Sequence, residues 1–224
     1  MAMDEKYDFS KETSLIAYLD LANMFHWQDV LKWHFSIYFV IKQILKIKPV
    51  KEVRIYYGIN ERDKEKSENF HRLLRKKGAI VINKPVKWIK KEITKDLFVT
   101  PSTLELFDEN AHSKLDELID YLQKQGVKIE EPKCNFDVEM ALDMLDIIDK
   151  VSGILLFSGD SDLKEPVERL KLKGKNIYLF GVRGQVAAEL FRLRTRYIDF
   201  GRWYKALKSE NPVPKNGTRV NKQV

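Results

Sequence analysis

The chain has 224 residues, 44% of them hydrophobic and 33% charged, and its net charge is +7. That length supports one sizeable core, and the sequence holds no run of about 18 apolar residues that could span a bilayer. A single cysteine, Cys134, excludes an internal disulfide, so a reducing cytoplasmic setting is expected, and the basic balance favours a polyanionic partner.

The first nine residues are polar and acidic, unlike a secretory signal, and are expected to be flexible. SLIAYLDL (14–21) reads as a buried strand, and apolar residues at helical spacing predict a helix from Asp29 to Ile47, closed by Pro49. In that region MFHWQDVLKWHFSIYF supplies Trp27 and Trp33 for helix packing or a dimer face. EVRIYYGI (52–59) predicts a second strand, residues 62–78 a charged helix ending at Gly78, and AIVIN (79–83) a third strand. VKWIKK (86–91) reads as a short strand or hairpin arm, and 92–110 as an insertion or loop. Helices follow at 112–126, after which comes VKIEE, and at 137–150. GILLFSG (153–159) is a continuously apolar strand, 162–174 a helix, KNIYLFG (175–181) a strand, 185–194 a helix and 195–200 a final strand. Residues 209–224 lack apolar periodicity and are expected to be disordered, leaving 10–205 as a single domain.

Strands alternating with helices predict an α/β fold with a mainly parallel central sheet covered on both faces. Ligands of such sheets bind at the carboxyl ends of the strands. Asp20 ends the first strand, with Asn23 three residues on. Asp160 and Asp162 flank Ser161 just after GILLFSG, and Asp137 opens the helix leading into that strand. Two like charges about 4 Å apart repel by roughly 4 kcal/mol at an effective dielectric near 20, so a cluster of this kind calls for a counter-ion. Oxygen donors suit Mg²⁺ or Mn²⁺, whereas one cysteine and four dispersed histidines give zinc no cage.

Each carboxylate also has a structural explanation. Asp162 with Glu165 spells a capping box, and Asp137 suits a helix N-terminus. Asp20 has no helix to cap unless one begins at once. Asp143 stands about 240° from Asp137 on an ideal helix, so a solvated role beside Asp146 is expected. Ser158 and Ser161 lack a histidine base, and Cys134 lacks an activating partner, which argues for hydrolysis by water. No G-x-x-x-x-G-K-[ST] loop is present.

AYLDLANMF, KCNFDVEMALDML and LLFSGDSDL followed by LKLKGKNIYLFG resemble, in order and spacing, the NYN domain family of LabA-like, PIN-like nucleases. The resemblance runs from about Leu15 to Phe200 and implies a PIN-like three-layer α/β/α sandwich. It also implies a metal-dependent endoribonuclease that hydrolyses RNA with a carboxylate-held Mg²⁺ or Mn²⁺ and an activated water. On it Asp20, Asp137, Asp160 and Asp162 match the acidic, metal-holding cluster, Asn23 the adjacent polar residue that orients ligand or metal, and Asp143 a further family aspartate. KCNFD departs from the family's K-G-x-D element, and 84–110 match nothing in it.

For the substrate, Lys84, Lys87, Lys90 and Lys91 interleave with Trp88, the composition of a groove that tracks phosphates and stacks bases. Lys133 and Arg183 are further candidates, with Arg192, Arg194 and Arg196 near the last strands. The expected partner is RNA, with no membrane and with a homodimer as a further possibility. Two alternatives stand beside this reading: a catalytically weak or inactive PIN-like binding or scaffold protein, and a metal-dependent hydrolase of other phosphate esters or DNA.

Overall fold

The computed structural model describes residues 9–98 and 108–210, so residues 1–8 of the start expected to be flexible, most of the expected tail and part of the 92–110 insertion lie outside the described residues. Phe9, expected to be flexible, is instead buried in the core against Tyr178. Leu15–Asp20 forms β1, and α1 (Leu21–Leu31) begins at the next residue, capped by the Asp20 side chain. Lys32 adopts a left-handed conformation (φ 57°) that ends α1. α2 (Ile37–Ile44) then starts under a Ser36 cap. The single helix expected from Asp29 to Ile47 is therefore two helices, the first starting eight residues early. β2 (Val50–Tyr56), α3 (Lys64–Lys76) and β3 (Ile80–Ile82) follow.

Next come β4 (Lys87–Glu92), α4 (Glu109–Lys124) and β5 (Lys128–Lys133), then α5 (Asp137–Asp146), which stops short of the expected Lys150. β6 (Gly153–Phe157), α6 (Lys164–Leu172), β7 (Asn176–Gly181), α7 (Ala188–Leu193) and β8 (Arg196–Asp199) complete the alternation. A further helix, α8 (Phe200–Glu210), was not expected: it takes Phe200 from the expected 195–200 strand, residues 201–208 for which no element was expected, and the first two positions of the expected tail. Its buried Phe200, Trp203, Tyr204 and Leu207 recur at helical spacing.

Six strands form an all-parallel sheet in the order β3-β2-β1-β6-β7-β8, flanked by helices as a PIN-like α/β/α sandwich. The chain runs outward from β1 to β3, then returns to lay β6 on the other side of β1. This reversal puts the topological switch point between β1 and β6, the position where sheets of this type open a crevice at the strand carboxyl ends.

Strand alternation divides the apolar side chains between the two faces. Leu15, Ala17, Leu19, Leu155, Phe157, Tyr178 and Phe180 share one buried cluster with Met24 and Trp27 of α1, Val40 and Ile41 of α2, and Trp203 and Tyr204 of α8. Trp27 lies 5.2 Å from Phe200 at 1% exposure, so it is a core residue rather than a dimer face. Phe157 and Phe180 stack at 4.0 Å, a pairing worth about 0.5–1.5 kcal/mol beyond the area it buries. The alternate positions Ile16, Tyr18, Ile154, Leu156, Ile177 and Leu179 are buried outside this cluster, as are Met140 and Met144 of α5 and Val167 and Leu170 of α6.

Two compact units are present where one domain was expected. The sheet just described, with residues up to Lys84 and from Asn135 onward, is one; Pro85–Cys134 is the other. In the second, β4 pairs with β5 antiparallel across a long excursion rather than as a tight hairpin. Gln123 of α4 donates to the Ile93 carbonyl at 2.7 Å, and Ile93 and Ile119 are buried.

Asp143 corrects the expectation of a solvated side chain. Its carboxylate accepts from the Tyr56 hydroxyl at 2.5 Å and faces Arg54 at 3.4 Å, while its backbone carbonyl accepts from Tyr18 at 3.1 Å. These contacts tie α5 to β1 and β2. Removing the carboxylate leaves a buried phenol and a guanidinium short of partners, at a cost of about 1–3 kcal/mol. Asp143→Ala is therefore expected to lower the urea midpoint by that free energy with an unchanged m-value, whereas Asp146→Ala, at an exposed position, leaves it unaltered.

Candidate active site

Asp20 and Ser158 leave β1 and β6 at the switch point, and the Ser158 hydroxyl donates to Asp20 Oδ2 at 3.1 Å. Ser158 also accepts from the Asp160 N–H at 3.2 Å, so one fully buried hydroxyl joins both aspartates. Asp20 Oδ1 in turn accepts from the Asn23 N–H at 3.1 Å, and Asn23 Oδ1 accepts from the Gly159 N–H at 3.1 Å. The Asn23 carbonyl is thus engaged in fixing the Ser158–Asp160 turn. Ser158, fully buried and bonded at its oxygen, is a positioning group.

The predicted caps are redistributed. Asp160, not Asp162, caps the short turn at Ser161–Leu163, accepting from the Asp162 N–H at 3.0 Å, and α6 begins only at Lys164. Asp162 is left exposed, with no capping box to Glu165. Asp137 is the first residue of α5 rather than its cap, its N–H held by Asn135 Oδ1 at 2.8 Å. Both side chains are thereby released from capping.

The carboxylates sense one another. Asp20 is raised from 3.8 to about 6, first by burial and then by the charges of Asp137 and Asp160, against the lowering bonds from Asn23 and Ser158. Asp137 is raised by burial and by Asp160 and Asp162, with Asn135 opposing. Asp20 and Asp160 are bridged through a shared serine, and Asp137 lies within the electrostatic influence of Asp160 and Asp162.

Gly159 is what the turn geometry requires. A Cβ there would stand 1.8 Å from the Gln185 carbonyl oxygen, and the Gly159 carbonyl accepts from the Ala187 N–H at 2.9 Å. The loop after β7 seats directly on the turn that carries Asp160. Sequence reasoning missed this use of Gly159, for which the Ser-Gly-Asp step was the available signal.

The basic candidates are dispersed. Lys84 lies beside α5, 2.5 Å from Glu139 and 4.8 Å over the Phe136 ring. Lys87, Lys90 and exposed Lys133 belong to the β4–β5 ribbon with Trp88, which is half-buried. There Lys91 pairs with Glu131, Lys90 registers opposite Glu130, and Lys128 stands 3.3 Å from Glu92. The ribbon is a mixed-charge surface rather than the purely basic groove expected. Arg183 is exposed on the loop after β7.

The donor set is all oxygen, and burial together with like charges disfavours ionisation of Asp20 and Asp137, a cost that a cation would relieve. Among the described residues, however, no three acidic, histidine or cysteine side chains form a ready-made metal cage, in contrast to the four-ligand set expected. The residues fit a hard, partly hydrated cation held by one or two carboxylates and completed by waters and phosphate oxygens, a common mode for Mg²⁺.

The NYN domain profile matches residues 100–204. The Low amplitude and bright protein LabA of Synechococcus elongatus is 25% identical over 205 residues, covering 91% of this chain and 93% of that one. Residues 100–204 thus resemble an NYN domain, and most of the chain is similar to LabA. A crystal structure of a protein of unknown function from Vibrio parahaemolyticus shares the fold, with a TM-score of 0.56 at 18% identity over 85% of this chain and 95% of that one. At a coarse level the NYN likeness points to a nuclease-like, RNA-related role.

Because Asp20 binds its proton more tightly folded than unfolded, its contribution to stability falls as pH rises from about 4 to about 6 and stays low above. The metal-free cost at pH 8 is on the order of 3 kcal/mol. Asn at this position keeps the cap through its Oδ1, while the Ser158 bond reverses, with Nδ2 donating to the serine oxygen. Asp20→Asn is therefore expected to melt several degrees above wild type in EDTA at pH 8, with the gap closing near pH 4, as read by calorimetry.

Proposed function

We propose that this protein is a metal-dependent endoribonuclease that uses Mg²⁺ or Mn²⁺. The observation that carries the reading is the Ser158 bridge between Asp20 and Asp160 at the switch point, with Asp137 and Asp162 in electrostatic reach. When bound, the cation supplies charge neutralisation at the phosphodiester and an acidified water as nucleophile. Asp20, oriented by Ser158 and the Asn23 N–H, and Asp160, oriented by the Asp162 N–H, are the groups that would hold it. Asp137 and Asp162, freed from capping, complete the acidic wall and can receive a proton from the attacking water. Ser158 is excluded as a nucleophile by its burial, so the chain forms no covalent intermediate through it.

The lack of a preassembled cage among the described residues favours a second reading, an RNA-binding or scaffold protein on the same fold. Incubation with single-stranded RNA, duplex RNA, DNA and a chromogenic phosphate ester, with Mg²⁺ or Mn²⁺, separates the readings. The ribonuclease cleaves RNA internally, and Asp160→Asn, which preserves the turn cap, reduces cleavage to background with an unchanged circular dichroism spectrum. Unaltered turnover by that variant overturns the assignment. Mn²⁺ is also expected to raise the wild-type melting temperature but not that of Asp20→Asn; RNA binding with neither cleavage nor a Mn²⁺ shift selects the scaffold.

A further inference from the structure

A cavity of about 670 Å³ opens beyond the carboxyl ends of β7 and β8, within the ~300–1,000 Å³ range of small-molecule sites. Its walls are Val182, Val186, Phe191, Tyr197 and Ile198, and its charged lining is Arg183, Arg196 and Arg202 against Asp199. Asp199 is already engaged, accepting from the Arg202 N–H at 2.8 Å at the start of α8. Arg183 and Arg202 are exposed and make no ion pair among the described residues. The aromatic wall is ordered: Phe191 and Tyr197 meet edge to face at 5.2 Å, the Arg194 guanidinium covers the Phe191 ring at 3.4 Å, and the Tyr197 hydroxyl donates to the Gly181 carbonyl at 2.9 Å.

Two features make this more than a basic surface. Arginine forks clustered around an apolar and aromatic wall match a ligand with a phosphate at one end and a flat ring at the other. The cavity also abuts the acidic site. Val186, one of its walls, belongs to the loop that packs on Gly159, the residue before Asp160.

We propose that this cavity is a subsite for one nucleotide of the RNA strand, next to the phosphodiester held at the acidic cluster. The inference rests on the ribonuclease reading for the identity of its ligand. Arg183 and Arg202 grip a backbone phosphate, the Phe191–Tyr197 wall, with Arg194 laid over Phe191, packs against the neighbouring base, and the shared loop sets the distance between grip and cut. Specificity for strand over isolated phosphate comes from the apolar wall.

The test is fluorescence anisotropy with a labelled single-stranded RNA of about eight nucleotides, all variants carrying Asp160→Asn so that the strand stays intact. Arg183→Gln/Arg202→Gln is expected to weaken binding about tenfold or more. The salt slope is expected to shrink by about 0.7 for each phosphate that the variant no longer neutralises. Phe191→Ala is expected to weaken binding with the slope unchanged, a signature that removal of charge alone would not produce. Melting temperatures within a few degrees of the parent establish that each variant is folded. Binding unchanged in the arginine variant overturns the subsite, as does AMP competing as well as the strand, which would mark a free-nucleotide site. Both outcomes are independent of cleavage. Should Asp160→Asn fail to abolish turnover, the catalytic assignment falls, and the same anisotropy in EDTA, or with a non-hydrolysable phosphorothioate strand, still decides the subsite.

Discussion

Parallel pairing of β1 with β6 is the constraint on which the site depends. It brings Asp20 and Ser158, 138 positions apart in the chain, to adjacent strand ends. The serine hydroxyl then couples Asp20 to Asp160 with one donor and one acceptor, using both capacities of a buried group that would otherwise be costly to leave unsatisfied. Everything nearby reinforces that junction. Asn23 ties the first turn of α1 to Gly159, and the absence of a side chain at Gly159 lets the loop after β7 close over it. The Asp20 carboxylate and the turn carrying Asp160 are thereby held together before any ligand arrives, a form of preorganisation suited to an enzyme working by electrostatics.

The two faces of the sheet do different work. Aromatic packing dominates one, where α1, α2 and α8 cover β1, β6 and β7 with Trp27, Phe157, Phe180 and Trp203. The other carries polar contacts as well, because Tyr18 and Tyr56 donate to Asp143 of α5. That network anchors the helix whose first residue is Asp137. Burial and the Asp143 charge hold the Tyr56 phenol far above its ordinary range, so it remains a donor throughout the working pH range. Asp143 therefore serves the acidic site by holding α5, two turns from the residue that faces it.

Charge is segregated along the carboxyl edge of the sheet. Carboxylates converge at the β1–β6 switch, and arginines gather beyond β7 and β8, with the loop from Val182 to Ala187 between them. An anion at this edge would meet arginines beside carboxylates that repel it in the absence of a cation. The positive charge of the whole chain is thus less informative than its placement. The lysines of the β4–β5 ribbon illustrate the difference, since their neighbours Glu92, Glu130 and Glu131 answer them across the two strands.

Continuous apolar runs such as GILLF could only be doubly covered central strands, so the sequence determined the α/β class and the position of Asp20 and Asp160 at strand ends. It also contains the helical spacing of Phe200, Trp203, Tyr204 and Leu207, a local signal for α8 that runs on directly from the last strand and is easily taken for its continuation. The break between α1 and α2 was not legible. It depends on Lys32 taking a left-handed conformation that its sequence, with no glycine or proline there, does not announce. Only the tertiary structure decided which aspartates cap helices, that Asp143 is bound by Arg54 and Tyr56, and that three arginines from a loop, a strand and a helix line one cavity. Strand and helix periodicity are local properties written in neighbouring residues, whereas hydrogen-bond partners and shared cavities are set by which distant segments the sheet places side by side.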